Sequence, residues 1–277
     1  MTNPSIGPND STGTALRIAL ICHVDEPMNR DLLPRWLASF STLVGVVLID
    51  EERGVRIRRL RAEYRRVGLL RLLDIFAFRV FYRIFLARRD RAWEGAEIRS
   101  RSALLPHPGA DVTTLLTRDP NDEKVAQFLR DVRPQLVLAR CKWLLRKNIY
   151  DVPALGTFVL HPGICPQYRN AHGCFWAIVN RDLGNVGLTL LQIDAGIDTG
   201  PIYGFFRYRF DELSESHVRI QQRMVLENLD AIRAALLDIA AGRIGSIEVS
   251  GVPSRNWGQP WLSAYLRARR AAKRRVP

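Results

Sequence analysis

The sequence contains few lysines, no paired cysteines and no glycine-rich nucleotide motif. The last two shortages argue against metal-binding and dinucleotide-binding proteins. Four of its 41 basic residues are lysines, so guanidinium groups carry most of the formal net charge of +13. The four cysteines form no C-x-x-C pair and share no metal-ligand spacing with the five histidines. The turn CHVDEPMNR after the first apolar run lacks the glycines of a dinucleotide-binding fingerprint. We therefore expect reduced thiols, no metal and no nicotinamide or flavin cofactor.

The chain also opens without a charged and then apolar leader. Residues 1–15 are polar and rich in turn formers, which predicts a disordered N-terminal tail. Together with the reduced thiols, this favours a cytoplasmic protein. The 277 residues, 47% of them hydrophobic, are sufficient for a substantial core.

From residue 16 onwards, continuous apolar runs alternate with helical patterns. LRIALIC and LVGVVLID read as buried strands separated by a helix, and further strands end at Ala139 and at His161. Such runs are typical of a parallel sheet covered on both faces. The sequence predicts an α/β, Rossmann-like domain over residues 16–241, with a mostly parallel central sheet and one long amphipathic helix over residues 215–241. An irregular C-terminal extension is expected over residues 242–277.

Residues 53–105 interrupt this rhythm as an arginine-rich insertion. Within residues 67–87, four charged positions make a spanning helix improbable, and they occupy roughly half of a helical circumference. One interpretation is an amphipathic helix packed on its own domain or on the second subunit of a homodimer. The alternative is a helix lying at the inner membrane surface, with its arginines towards anionic headgroups.

The end of the chain is basic. RARRAAKRR, residues 267–275, is either a solvated terminus or an electrostatic anchor for an acidic membrane or for RNA. Nucleic acid is not an expected partner, because too few residues follow the long helix for an additional RNA-binding domain.

Three turns converge on one edge of the predicted sheet: HPGICPQYRN, DAGIDTG and ARCKW. Ligands of open α/β sheets bind beyond the carboxyl ends of the strands, where such turns meet. His161 and Asp198 are the natural acid and base in this set, because a carboxylate can hold an imidazole tautomer and raise the basicity of the ring.

A known family has this pattern. The stretch LHPGICPQYRNAHGCFWAIVNRDLGNVGLTLLQIDAGIDTGPI resembles the signature of the folate-dependent formyltransferases, which include glycinamide ribonucleotide transformylase, methionyl-tRNA formyltransferase and the sugar N-formyltransferases. The matching residues are His161, Pro162, Pro166, Tyr168, Arg169, Trp176, Gly187, Thr189, Asp194, Gly196, Asp198, Thr199 and Gly200. The resemblance implies the formyltransferase fold and the transfer of a formyl group from 10-formyltetrahydrofolate to an amine of a small or lipid-linked acceptor, through a tetrahedral intermediate.

The resemblance also implies catalytic roles and exposes one departure. His161 corresponds to the catalytic histidine and Asp198 to the aspartate that tunes it, whereas the asparagine that stabilises the oxyanion falls on Val159. Valine donates no hydrogen bond, and the loss of one oxyanion donor typically costs about 2.7 to 4 kcal/mol. Asn170 or His172 could supply the missing donor from the far side of the turn; the alternative is that Asn170 adopts a left-handed turn and His172 caps a helix.

Further residues are candidates for binding. In the family the pterin pocket is lined by backbone, here that of Ala195, Gly196 and Ile197. Cys141 and Trp143 are further candidates for cofactor binding. Cys141 flanks the expected cleft together with Cys165, and Trp143 either stacks on the pterin or packs in the core. Tyr168 and Arg169 are candidates for an anionic substrate or for a structural clamp.

Val159 leaves two other hypotheses open. The chain is either a catalytically altered member that binds a ligand or a membrane surface, or an enzyme that uses a different donor, such as a carbamoyl compound.

Overall fold

Nine strands and nine α-helices lie within residues 15–274, the part of the chain that the computed structural model describes. In chain order the strands are β1 (Arg17–His23), β2 (Thr42–Ile49), β3 (Thr113–Thr117), β4 (Leu136–Arg140), β5 (Thr157–His161), β6 (Arg169–Asn170), β7 (Leu188–Gln192), β8 (Ile202–Phe206) and β9 (Asn256–Trp257). The helices are α1 (Leu33–Ala38), α2 (Arg53–Phe85), α3 (Ala87–Ser102), α4 (Glu123–Val132), α5 (Lys147–Tyr150), α6 (Gly173–Val179), α7 (His217–Leu226), α8 (Leu229–Ala240) and α9 (Leu262–Lys273). A π-helical turn, Met28–Leu32, precedes α1.

Seven strands form one sheet in the order β3-β2-β1-β4-β5-β7-β8. The first five of these are parallel, and β7 and β8 continue the sheet as antiparallel strands. The strands β1, β2 and β4 are almost wholly apolar because helices cover both faces, which is the pattern that predicts such a sheet. The edge strand β3, TTLLT, is largely exposed. The predicted Rossmann-like, mostly parallel architecture is confirmed.

Each face of the sheet has its own core. One core joins β1, β4 and β5 to α1, α6, α7 and α8, and the other lies under α4 and α5. Because β1, β4 and β5 run in the same direction, they end at one edge, where the side chains of His23, Arg140 and His161 lie. This edge is the location that sequence reasoning gives for the site.

The arginine-rich segment is helical. It forms α2, which bends at Gly68 where φ is +76°, and α3. Ile75 and Phe78 are buried, and the Phe78 ring lies 5.6 Å from that of Phe175. The interpretation that this helix packs on its own domain is therefore confirmed for one of its faces. Among residues 15–274, no helix is both long enough and apolar enough to span a membrane.

Two predictions about the C-terminal third are wrong. The single helix expected over residues 215–241 is two helices, because the Asn228 side chain donates to the Met224 carbonyl oxygen at 2.8 Å and closes α7. The extension expected to be irregular contains α9. Ala264, Ala268 and Ala272, spaced by four residues, form its buried face, and alanine and arginine both favour a helix.

Two predicted segments extend past the described residues. Of the N-terminal tail only residue 15 is described, and of the basic tail the final Arg275 is not.

Candidate functional site

A tight turn follows β5 and sets the geometry of the site. A Cβ atom at Gly163 would lie 2.5 Å from the carbonyl oxygen of Tyr168 and 2.9 Å from the Cα of Gly173, so the turn closes only with glycine there. The hydroxyl of Thr189 donates to the Gly163 carbonyl at 2.6 Å and accepts from the Cys165 amide at 3.1 Å. The turn is thus fastened to β7.

His161 and Asp198 meet at this turn. The Nδ1 atom of His161 lies 3.3 Å from Oδ2 of Asp198, and His161 is 4% exposed. The backbone amide of Asn170 donates to the same carboxylate oxygen at 2.7 Å. Asp198 has φ +50°, a left-handed conformation that aspartate tolerates and that turns its side chain towards β5.

The second ring nitrogen of His161 is also engaged. Its Nε2 atom lies 2.7 Å from the Tyr168 carbonyl oxygen. A carbonyl oxygen only accepts, so Nε2 carries a proton in this arrangement, while Nδ1 faces a carboxylate. The ring is therefore held as a hydrogen-bond donor, and it can serve a substrate oxygen only by exchanging one of these two partners.

Val159 lies on the same face of β5 as His161, because side chains alternate along a strand. It is half-buried and packs with Cys165, Leu191 and Ile202. The wall of the site beside His161 is therefore apolar where the resemblance leads one to expect an amide.

The two proposed replacement donors are oriented differently. The side-chain amide of Asn170, whose φ is +73°, donates to the carbonyl oxygen of Trp257 at 2.7 Å. His172 is the N-cap of α6 with φ +57°, and its Nδ1 atom is buried without a hydrogen-bond partner. Burial, followed by the charges of Lys142 and Arg79, lowers the pKa of His172 to about 4. Their assignment as oxyanion donors stays a prediction.

The loop between β7 and β8 is held by side-chain hydrogen bonds and is partly exposed. Asp194 accepts from the Gly196 amide at 2.9 Å and from the Thr199 hydroxyl at 2.7 Å, and a Cβ at Gly196 would lie 1.9 Å from that hydroxyl. Ala195 and Gly196 are exposed and Ile197 is half-buried. These are the three residues expected to line a pterin pocket.

Cys141 and Trp143 lie just beyond β4, on the α4 side of the sheet together with Ile193. Burial raises the pKa of Cys141 to about 11, so its thiol is a poor nucleophile. The indole N–H of Trp143 is buried without a hydrogen-bond partner, and the guanidinium of Arg59 lies 5.5 Å from its ring.

Tyr168 and Arg169 brace the turn. The Tyr168 ring is buried and its hydroxyl donates to Asp182 at 2.9 Å, while a guanidinium N–H of Arg169 donates to the Ile197 carbonyl at 3.3 Å. Both contacts favour the structural clamp over direct substrate binding.

Sequence analysis did not predict that a C-terminal segment, β9, packs against the turn after β5. β6 pairs with β9, so Arg169 lies opposite Asn256 and Asn170 opposite Trp257. The Trp257 ring stacks on Tyr168 at 5.5 Å and on Trp176 at 5.0 Å, and its indole N–H donates to the Gln167 carbonyl at 2.9 Å. Three tryptophans whose rings pack together, Trp176, Trp257 and Trp261, were the feature of the sequence that could have indicated this segment.

A polar cluster at the ends of β1 and β4 was also missed. Nε2 of His23 accepts from the Lys142 amide at 3.0 Å, and Nζ of Lys142 lies 2.6 Å from Glu26. Burial alone would raise the pKa of Glu26, but the charge and hydrogen bond of Lys142 hold it below its usual value. Arg140 donates to the Leu160 carbonyl beside His161. The rule that ligands bind at carboxyl ends of strands could have identified these residues.

Comparison with known proteins agrees with this geometry. A family model described as formyl transferase matches residues 89–236. The methionyl-tRNA formyltransferases of Bacteroides fragilis and Flavobacterium psychrophilum are 32% and 30% identical over 117 and 134 residues. These matches cover 40% and 48% of this chain but 36% and 42% of those enzymes, so the chain spans less than half the length of these relatives.

Solved structures share the fold. The glycinamide ribonucleotide transformylase 1 of Symbiobacterium toebii has a TM-score of 0.51 and 16% identity, and the alignment covers 91% of this chain and 99% of that one. A 4-N formyltransferase of Francisella tularensis has a TM-score of 0.51 and 13% identity, with 88% and 77% covered.

The family match extends over more than half of the chain and includes β5, the turn after it and the loop that carries Asp198. The chain belongs to the formyl transferase family.

Proposed function

We propose that this protein transfers a formyl group from 10-formyltetrahydrofolate to an amino group of a small or lipid-linked acceptor. The contact that carries the proposal is the one between His161 and Asp198, 3.3 Å apart at the carboxyl edge of the parallel strands. A buried imidazole beside a carboxylate is suited to stabilise charge on a carbonyl oxygen and to move a proton.

The residues present fit a folate donor. A flat pterin ring has hydrogen-bonding edges and apolar faces. The exposed residues Ala195 and Gly196 would offer backbone groups to its edges, and the half-buried ring of Trp143 would offer a flat apolar surface to one face. When bound, the donor supplies an N-formyl group whose carbon is the electrophile. Ala195, Gly196 and Ile197 would hold its ring.

In this proposal, His161 and Asp198 stabilise the developing charge and transfer protons. As the acceptor amine bonds to the formyl carbon, negative charge develops on the formyl oxygen, and an N–H of His161 can donate to that oxygen. Asp198 keeps the ring oriented and balances its positive charge. The amine loses a proton and the leaving nitrogen gains one, and in this proposal His161 and Asp198 relay that proton.

Val159 supports a second candidate. With an apolar side chain where the family has an oxyanion donor, the site is also compatible with a different donor, such as a carbamoyl compound, or with ligand binding without transfer. The proposed place of action is the cytoplasm, which agrees with four cysteines that are all free thiols.

The test is a formylation assay with a matched inactive control. Purified protein would be incubated with 10-formyltetrahydrofolate carrying a labelled formyl carbon and with a small-molecule and lipid extract, and labelled products would be identified by mass spectrometry. We expect labelled amide from the wild type and none from His161→Ala. The absence of label together with no calorimetric binding of folate would contradict the proposal, and labelling from a carbamoyl donor alone would support the second candidate.

A further inference from the structure

The C-terminal part of α2 has two apolar faces, and one of them has no partner in the described chain. Ile75 and Phe78 point into the domain. Leu69, Leu73, Phe76, Val80 and Ile84 are 45% to 65% exposed. At 100° per residue these five positions fall within about 80° of the helix circumference, opposite Ile75 and Phe78. We refer to these five residues as the outer stripe.

The buried face fixes α2 firmly to the domain. The Phe78 ring lies 5.4 Å from Tyr265 and 5.1 Å from His217, and Asp74 accepts from the backbone amide of Ser263 at 2.9 Å. The outer stripe is therefore held outward by the fold and cannot turn inward without breaking these contacts. A contiguous exposed apolar surface of this kind marks an interaction site.

The charges around the outer stripe have one sign. Arg79 and Arg83 lie along one edge of it. Arg79 donates to the side-chain oxygen of Gln259 at 3.4 Å, and within residues 15–274 neither arginine forms an ion pair with a carboxylate. The two carboxylates of α2 face elsewhere: Glu63 pairs with Arg66 at 2.5 Å, and Asp74 bonds to Ser263. The surface thus offers apolar side chains bordered on one edge by guanidinium groups.

We propose that the outer stripe lies on an anionic lipid bilayer, with its apolar side chains at the acyl boundary and Arg79 and Arg83 at the headgroups. Arginine beside an apolar stripe suits phosphate above hydrocarbon. This inference does not depend on formyl transfer.

The same charges disfavour a second copy of the chain. Two outer stripes packed together would enclose arginines from both helices, and neither carboxylate of α2 lies on the outer stripe to pair with them. Burying unpaired like charges is costly. The partner must supply negative charge, as an anionic headgroup does.

The test is co-sedimentation of the full chain with vesicles. We expect binding to vesicles of mixed phosphatidylcholine and phosphatidylglycerol, weak binding to phosphatidylcholine alone, and release at raised salt. Leu69→Ser with Leu73→Ser should weaken the partition by about tenfold or more, because two apolar side chains would no longer enter the acyl boundary. Val80→Ser with Ile84→Ser gives a second variant of the same stripe.

The matched control is Leu104→Ser with Leu116→Ser, two exposed leucines away from α2. It should bind as the wild type does. Equal binding to both vesicle types, or unchanged binding by both stripe variants, would overturn the proposal. So would a dimer in sedimentation velocity that the stripe variants dissociate without any vesicle binding, because the occupant would then be a second copy.

Discussion

At the residue scale, His161 is held from both sides, by Asp198 at Nδ1 and by the Tyr168 carbonyl at Nε2. The second bond occupies the nitrogen that would otherwise be free for substrate. In the proposed reaction, a substrate oxygen that replaces the Tyr168 carbonyl would meet a hydrogen-bond donor already oriented by Asp198. The orientation costs nothing at the moment of reaction, which is how a preorganised donor contributes to rate.

Replacing Asp198 tests this arrangement. Asp198→Asn keeps the size of the side chain but removes the charge that balances a protonated His161, so we expect kcat to fall by about 100-fold or more with little change in KM. Initial rates of folate release would measure it. Asp238→Asn, at a surface pair with Arg243, is the control and should be unaffected; a normal kcat in Asp198→Asn would remove Asp198 from the mechanism.

A substitution at Val159 tests the same site in the opposite direction, because it should increase activity. If the site transfers formyl groups slowly for want of an oxyanion donor, Val159→Asn should raise the rate by about 100-fold, because one such donor is worth about 2.7 to 4 kcal/mol. The amide would replace apolar packing on Leu191 and Ile202, so the melting temperature should fall.

Val159→Ala controls for the lost packing and should lower stability without raising the rate. Activity that appears only in Val159→Asn would support the candidate in which the natural chain binds a ligand without transfer.

At the element scale, the pairing of β6 with β9 makes the C-terminal segment part of the site. Trp257 stacks on both Tyr168 and Trp176, and its carbonyl oxygen accepts from Asn170. Through Tyr168 it supports the carbonyl that contacts His161. A segment about 90 positions further along the chain thus holds the turn after β5 in place.

Trp257→Ala should therefore reduce both stability and activity. Loss of a packed tryptophan typically costs about 3 to 5 kcal/mol, and the half-buried Trp257 should lie near the lower end. Trp93→Ala is the matched control, since Trp93 is also half-buried with a guanidinium 4.9 Å away but lies on α3. Urea unfolding and kcat would be measured for both; equal losses of activity would show that Trp257 acts only through global stability.

At the scale of the whole molecule, two buried histidines couple stability to pH. Burial lowers the pKa of His172 to about 4 and that of His217 to about 3, and their rings lie 6.2 Å apart among α2, α6 and α7. The unfolded chain binds protons at these positions near the ordinary value of 6.5, and the folded chain does not. Protonation at low pH therefore favours unfolding.

The free energy of unfolding should be at its full value above about pH 6.5 and fall as the pH drops towards 4, by about 1.4 kcal/mol per pH unit for each histidine. His217→Phe, in a pocket of Phe78, Phe175 and Tyr82, should shrink this dependence by about half. Urea unfolding at stepped pH would measure it. An identical pH profile in His217→Phe would contradict the role of this histidine.

The amino-acid sequence was sufficient for the mostly parallel sheet and for the proximity of His161 and Asp198 at the carboxyl edge of its strands. Buried parallel strands have a one-dimensional signature, an apolar run between helices, and parallel strands bring their carboxyl ends together whatever the side chains are. The helix break at Asn228 and the helix α9 were mispredicted because helix ends depend on single side-chain bonds and on burial against distant elements.

Tertiary structure decided what each side chain of the site touches. The Tyr168 carbonyl on His161, the amide of Asn170 turned to Trp257, and the outward stripe of α2 follow from packing between segments far apart in the chain. An amphipathic pattern tells which residues share a helix face, but not which of two apolar faces finds a partner. Tertiary contacts determine which face is buried, because the free energy of an apolar face depends on whether other side chains cover it.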